Sequence, residues 1–219
     1  MRPARPLVLA AVLAAVLGGG CRRSQPARNL DLDAIRVSGD ARMRTDRVGD
    51  GAFEDTATFV LVDAENRAAE GAYVTLGGAL VDAAGADAGT LKPQSLWIPA
   101  RESRTFALVD TERKPRPAAR SARIEVRGAL VPLDPPRARI EELHSFTDDG
   151  RTIVQAYLVN DADRPGQIVV IGAFHDEGDR PMTRPFEVID IAARSREVVR
   201  FVGPAGSRRG TIFVGDVIY

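Results

Sequence analysis

The chain has 219 residues, of which 44% are hydrophobic and 27% are charged, and its 30 basic and 30 acidic side chains cancel at neutral pH. This composition is ordinary for a globular protein and supplies enough apolar side chains for a buried core. A net charge of zero gives no general attraction to nucleic acid or to an anionic membrane surface, so nucleic acid is not an expected partner.

Residues 1–20 have the pattern of a secretory signal peptide. Arg2 and Arg5 precede an apolar run from Leu7 to Leu17, and three glycines follow it. A basic start, a short apolar centre and a small-residue exit are typical of such peptides. As a helix, this run would rise roughly 16 Å, which is shorter than the ~30 Å hydrocarbon core of a bilayer. A permanent transmembrane helix is therefore not expected here.

Cys21 is the only cysteine and directly follows the predicted signal peptide. The stretch 17–21, Leu-Gly-Gly-Gly-Cys, resembles the lipobox of bacterial lipoproteins. The resemblance implies cleavage before Cys21, diacylation of its thiol and anchoring in membrane lipid. Because Arg22 rather than Asp follows, it also implies transfer to the outer membrane, facing the periplasm or the cell surface. An ordinary cleaved signal peptide with an incidental cysteine is the alternative. Residues 21–29 are polar and are predicted to form a lipidated, flexible tether.

The rest of the chain has strand patterns and no helical apolar period. Gly77 and Gly78 interrupt a strand and predict a bulge, and 147–150 predicts a hairpin turn. Residues 42–55 are predicted to be loop or edge structure, and 110–122 an exposed loop. The strands are predicted at 30–37, 58–62, 72–82, 96–98, 105–109, 123–131, 139–143, 157–159, 167–176, 198–202 and 211–219.

One strand pattern occurs twice, which predicts an internal duplication. Residues 74–82 and 168–176 both end in Gly-Ala, a large apolar residue, one further residue and Asp, 94 positions apart. Flanking segments repeat in the same order, and a Pro-rich linker at 132–136 separates the copies. We therefore predict an all-β fold of two tandem immunoglobulin-like antiparallel β-sandwich domains, at 30–131 and 137–219. The candidate core aromatics are Trp97, Phe106, Phe174, Phe186, Phe201 and Phe213.

Segments 57–109 and 152–202 carry a family resemblance. In each, a strand ends in a large apolar residue, one further residue and Asp82 or Asp176, and a turn related to Ile-x-Ala-Arg precedes a strand with Phe. This order is similar to that of FxLYD-type envelope β-sandwich domains. The resemblance implies a small extracytoplasmic module and provides no catalytic residues.

The sequence predicts no catalytic residue, metal site or cofactor. His144 and His175 are the only histidines, and both are interpreted as solvent-facing or hydrogen-bonded strand side chains. Residues 176–179 and 148–150 are the best calcium candidates, but Asp and Gly are also the normal residues of tight turns. Arg208 and Arg209 could meet an anion, although a solvated loop is the simpler interpretation.

The preferred functional hypothesis is a membrane-anchored, non-enzymatic lipoprotein that serves as a binding or scaffold module in the cell envelope. Its expected partner is an envelope protein or polysaccharide, and exposed strand edges could accept a partner strand. Two alternatives stay open. One is an envelope hydrolase or carbohydrate-active protein that uses loop carboxylates such as Asp82 and Asp176. The other is a periplasmic chaperone-like assembly factor.

Overall fold

The computed structural model describes residues 27–49 and 54–218. This part of the chain has no α-helix, only a short 3₁₀ turn at Leu32–Ala34, and it contains no helix that could cross a membrane. The predicted signal peptide and Cys21 lie outside the described residues. The strands are β1 (Arg28–Asn29), β2 (Ile35–Val37), β3 (Arg42–Val48), β4 (Asp55–Asn66), β5 (Ala72–Val81), β6 (Asp87–Ile98), β7 (Ser103–Val109), β8 (Ser121–Val131), β9 (Ala138–Asp148), β10 (Arg151–Asn160), β11 (Gly166–His175), β12 (Pro181–Thr183), β13 (Phe186–Ile191), β14 (Arg196–Ala205) and β15 (Arg209–Ile218).

The strands form four antiparallel sheets. In sheet 1, β2 and β3 lie along one edge of β4 and β7 along the other. Sheet 2 has the order β1-β8-β5-β6, and sheet 3 has the order β9-β10-β14. In sheet 4, β15 lies on one side of β11, and β12 and β13 lie on the other. Sheets 1 and 2 belong to the first half of the chain (27–49 and 54–131), and sheets 3 and 4 to the second half (138–218).

The predicted all-β, antiparallel character is confirmed, but several element boundaries differ. Residues 30–37 form a strand only at β2, because the Asp31 side chain accepts a hydrogen bond from the Asp33 N–H (3.1 Å) and starts the 3₁₀ turn. Of the predicted tether, Arg28 and Asn29 pair with β8. Strand β13 was not predicted. The 110–122 loop is not fully exposed, because Asp110 is buried and accepts a bidentate pair from Arg116.

Both predicted backbone irregularities are present. The register between β5 and β6 shifts between Leu76 and Gly78, and a Cβ at Gly78 would collide with the backbone carbonyl of Arg123. Between β9 and β10, Asp149 and Gly150 both have positive φ, of 45° and 68°. Two successive positive φ values are the mark of a type I′ turn, which matches the twist of a hairpin.

Two buried asparagines make the same contacts in the two halves. Asn66 and Asn160 end β4 and β10, 94 residues apart, and neither is exposed. Each side-chain amide donates to two backbone carbonyls and accepts from the backbone N–H two residues further on. The partners are Glu70 (2.8 Å), Ile98 (3.1 Å) and Ala68 (3.0 Å) for Asn66, and Arg164 (3.1 Å), Ala192 (2.9 Å) and Ala162 (3.0 Å) for Asn160.

Each half has its own apolar cluster between its two sheets. Val60 and Phe106 of sheet 1 meet Val74 and Leu96 of sheet 2 in the first cluster. The second cluster joins sheets 3 and 4. Of the candidate core aromatics, four are buried: Phe106, Phe174, Phe201 and Phe213. Trp97 is half-buried against Tyr73, and the prediction for Phe186 is wrong, because it begins the edge strand β13 and is 49% exposed.

Strand β11 is buried on both faces. Ile168, Val170 and Phe174 belong to the second cluster, whereas the alternate residues Ile171 and Ala173 belong to the first. Strand β15 divides in the same way, with Ile212 in the second cluster and Phe213 in the first. Sheet 4 therefore contributes one face to its own half and the other to the first half. This position explains why 168–174 is almost continuously apolar instead of alternating.

Candidate functional site

A buried polar contact lies where the two halves meet. Asp63 of β4 accepts a hydrogen bond from the Thr105 hydroxyl on β7 (2.5 Å). Its other carboxylate oxygen lies 2.8 Å from Nε2 of His175, at the end of β11. His175 is 1% exposed, and its Nδ1 is buried without a hydrogen-bond partner. Three strands from two sheets thus converge on one carboxylate.

The electrostatics of this contact favour an ionised Asp63. Burial by itself raises the pKa of Asp63, but the hydrogen bond and the charge of His175, with smaller effects of Thr105 and Arg209, bring it below its usual value. Thr105 of the first half and His175 of the second both direct their polar atoms at Asp63. The cluster is therefore suited to holding the halves together.

Beside this contact, a groove of ≈ 630 Å³ runs between the halves. Its apolar walls include Leu96 and Val109 from the first half and Ile171 and Phe186 from the second. Arg184, from the segment between β12 and β13, also lines it. Grooves of this size are common at the junctions of structural units.

A second candidate surface is the side of sheet 3 that faces away from the second cluster. Ile153 of β10 pairs in register with Phe146 of β9 and Val202 of β14, so the three side chains form one row. Tyr157 of β10 pairs with Val198 of β14 further along. Phe146, Val198 and Val202 are 49%, 58% and 45% exposed, whereas Tyr157 is half-buried and Ile153 is 3% exposed. We call these five residues the sheet 3 face.

The position equivalent to the sheet 3 face in the first half is covered. Ninety-four residues before Ile153 and Tyr157 stand Phe59 and Asp63, on the corresponding side of sheet 1. There Asp63 contacts His175, and Arg44 of β3 donates a hydrogen bond to the carbonyl of Met182 (2.8 Å). The second half therefore covers this side of sheet 1, whereas the described residues leave the matching side of sheet 3 exposed.

Residues considered for chemistry in the sequence are separated in the structure. Asp82 accepts from the backbone N–H groups of Ala84 and Ala86 at 2.8 and 2.9 Å, and Asp176 accepts from Gly178 and Arg180 at 2.9 and 3.1 Å. Both aspartates thus close tight turns, as the turn interpretation predicts. Asp149 belongs to the type I′ turn. In the described ranges, no group of three His, Cys, Asp or Glu side chains is arranged to hold a metal ion.

The charged and histidine candidates have structural partners or face solvent. His144 is exposed, opposite Gln155, as the solvent-facing interpretation predicts. The interpretation of His175 as a hydrogen-bonded strand side chain is confirmed at Nε2, which contacts Asp63. Arg209 of the suggested anion loop pairs with Asp179 at 2.8 Å.

Asp63, Arg184 and the sheet 3 face are not among the residues that the sequence singles out. Asp63 directly follows the predicted strand 58–62, and nothing in the sequence joins it to a histidine 112 positions away. A usable signal was the apolar run 168–174, because a strand without polar alternation needs cover on both faces. That signal indicates that something packs on β11, although not which residues do so.

Replacing Asp63 with Asn tests the contact between the halves. Above pH 4, close to the pKa of an unfolded aspartate, the ionised carboxylate stabilises the fold. That contribution is lost as the pH falls through the lower pKa of folded Asp63. Asp63→Asn should therefore reduce the free energy of unfolding by about 2 kcal/mol at pH 7. The difference should shrink below pH 4 in urea titrations.

The matched control is Asp87→Asn, which removes an exposed pair with Arg123 and should change stability by less than about 1 kcal/mol. Equal midpoints for wild type and Asp63→Asn at pH 7, or a difference that does not depend on pH, would contradict the assignment.

No protein-family model matches this chain, and no curated protein is detectably similar to it. Neither comparison therefore assigns a function. Function has to be inferred from the contact between the halves, the groove beside it and the sheet 3 face.

Proposed function

We propose that this chain is a lipid-anchored, non-enzymatic binding module of the bacterial cell envelope, built from two tandem immunoglobulin-like β-sandwich units. Two observations support the two units. Sheets 1 and 2 correspond in strand order to sheets 3 and 4, and the contacts of Asn66 recur at Asn160. The proposed units extend over residues 30–131 and 137–219, with the Pro-rich linker 132–136 between them.

The observation that carries the binding function is the exposed sheet 3 face. Its row of Phe146, Ile153 and Val202 is apolar, and Tyr157 adds an aromatic ring beneath the Arg196 guanidinium, 3.6 Å from the ring centroid. Aromatic side chains and arginine are enriched in protein interfaces. Apolar patches of this kind on a soluble surface mark interaction sites. An envelope protein is therefore the partner that we propose.

The internal repeat suggests the kind of surface that this partner presents. In the first unit, the matching side of sheet 1 faces sheet 4: Asp63 contacts His175, and Ala107 and Val109 line one groove together with Val169 and Ile171. Within the chain, this side of a sheet is thus covered by another sheet with small and branched apolar side chains. We expect the partner to present a similar surface. A polysaccharide would instead call for a polar cleft.

Binding is favoured over hydrolysis by the use of the acidic side chains. Asp82 and Asp176 accept backbone hydrogen bonds within separate turns, so they do not offer the free, facing carboxylates that a glycosidase needs. Asp63 is likewise occupied by Thr105 and His175. We therefore assign no catalytic residue.

The anchor in this proposal is Cys21. Several acyl chains on one residue give durable membrane attachment, because each buried CH₂ contributes about 0.8 kcal/mol. The tether that follows would place both units a short distance from the outer membrane. In this arrangement the sheet 3 face would be open to the periplasm or to the cell surface.

The anchor is tested by labelling cells with a radioactive fatty acid. The wild-type chain should take up label and sediment with membranes, and Cys21→Ser should abolish both. Arg22→Ala, which leaves the cysteine in place, should still be labelled. Label retained by Cys21→Ser would refute the lipid anchor and leave the binding surface as a separate question.

The binding surface is tested by photo-crosslinking in cells, with the photoreactive residue at position 146. One envelope protein should be captured there, and a second substitution, Val202→Asp, should reduce its yield at least fivefold, because binding would bury an unpaired charge in the apolar row. Leu133→Asp is the matched control, since Leu133 is 55% exposed and lies outside every sheet. An unchanged yield with Val202→Asp, or an equal loss with Leu133→Asp, would refute this surface.

A further inference from the structure

Two arginines contact the ring of Phe213 but differ in their ionic partners. The guanidinium carbons of Arg104 and Arg184 lie 5.3 and 5.8 Å from the ring centroid. Arg104 forms a salt bridge with Glu102 at 2.8 Å. Among residues 27–49 and 54–215, no carboxylate forms a salt bridge with Arg184. The Nε atoms of both arginines are buried without a hydrogen-bond partner, so the missing carboxylate is what distinguishes Arg184.

Arg184 is therefore a half-buried cation between the halves that has no carboxylate partner and a shielded Nε. Burial lowers its pKa to about 10, which leaves it charged at neutral pH. A shielded charge without an acceptor is unfavourable, and an anion that reached it would remove that cost. Arg104 already pairs with Glu102, so an added anion would not gain an unpaired charge there.

The space next to Arg184 has apolar walls. The ≈ 630 Å³ groove is lined by Leu96, Val109, Ile171 and Phe186, together with the aromatic ring of Tyr73. Lys92 lies on its exposed side, and among the described residues it too has no carboxylate partner. The volume falls in the range of small-molecule sites. A cation beside apolar walls favours a ligand with a negatively charged end and an apolar body.

The groove also continues along the first half. An adjoining space of ≈ 980 Å³ shares Gln94, Val109, Arg184 and Phe186 with it and extends past Phe59 of sheet 1. Arg184 and Phe186 therefore stand in the middle of a channel between the halves. The adjoining space is lined by charged side chains as well, among them Arg44, Asp46 and Glu187. A chain-like ligand could keep its charged end at Arg184 while its apolar part follows the wall of the smaller groove.

We propose that this groove binds an amphipathic carboxylate, with the carboxylate on Arg184 and the aliphatic chain against Val109, Ile171 and Phe186. The site is separate from the sheet 3 face, so it does not depend on the proposed protein partner. Arg184 is the residue that gives the site its preference for an anion. The apolar walls supply most of the contact area.

The test is titration calorimetry of the folded chain with decanoate, below its micelle-forming concentration, and with decanol as an uncharged match. Wild type should bind decanoate at least tenfold more tightly than decanol. Arg184→Gln should lower the affinity for decanoate about tenfold or more and leave decanol unchanged. Arg104→Gln, the matched control on the same ring, should change the affinity for decanoate less than threefold.

A second measurement does not depend on the stability of any variant. In the wild-type chain, the Nε–H resonance of Arg184 should shift on addition of decanoate and stay in place with decanol. Absence of decanoate binding, equal affinity for decanol, or equal losses in Arg184→Gln and Arg104→Gln would each overturn the proposal. An unshifted Arg184 Nε–H resonance at saturating decanoate would do so as well.

Discussion

The structure depends on strand β11, which is buried on both faces. Alternate residues of β11 enter different apolar clusters, so Val170 and Phe174 stabilise the second half while Ile171 and Ala173 pack with the first. Phe213 of β15 extends the same arrangement. Removing this much apolar surface from water makes each half dependent on the other. The hydrogen bond between Asp63 and His175 then fixes the alignment at one end, where an unpaired carboxylate would be costly.

Much of the local structure could be predicted from the sequence, because it depends on short-range chemistry. The type I′ turn at Asp149 and Gly150 and the bulge at Gly78 follow from backbone preferences that neighbouring residues determine. The 94-residue recurrence predicts matching strands. The side chains of Asn66 and Asn160, which end two of these strands, make equivalent hydrogen bonds. Strand β13 is not among the predicted strands, although 186–191 has partial alternation.

The candidate sites could not be predicted in the same way. In the sequence, Asp63 is an ordinary polar residue at the end of a strand. Only the packing of sheet 4 places His175 Nε2 2.8 Å from its carboxylate oxygen. Whether an arginine has a carboxylate partner depends on packing between distant segments, which distinguishes Arg184 from Arg104. The sheet 3 face could not be predicted from the sequence either. Its residues alternate as in any half-buried strand, and their significance comes from comparing them with the covered side of sheet 1.

The packing of the second half on the first accounts for both candidate surfaces. This packing covers the side of sheet 1, creates the groove at Arg184, and leaves the sheet 3 face as the position with no occupant from the described residues. The most direct test of this account is calorimetric unfolding of the folded chain and of Ile171→Asp, which buries a charge between the halves. We expect one cooperative transition for the wild type and, for Ile171→Asp, two, with the second half melting first. Two independent wild-type transitions that Ile171→Asp leaves in place would contradict it.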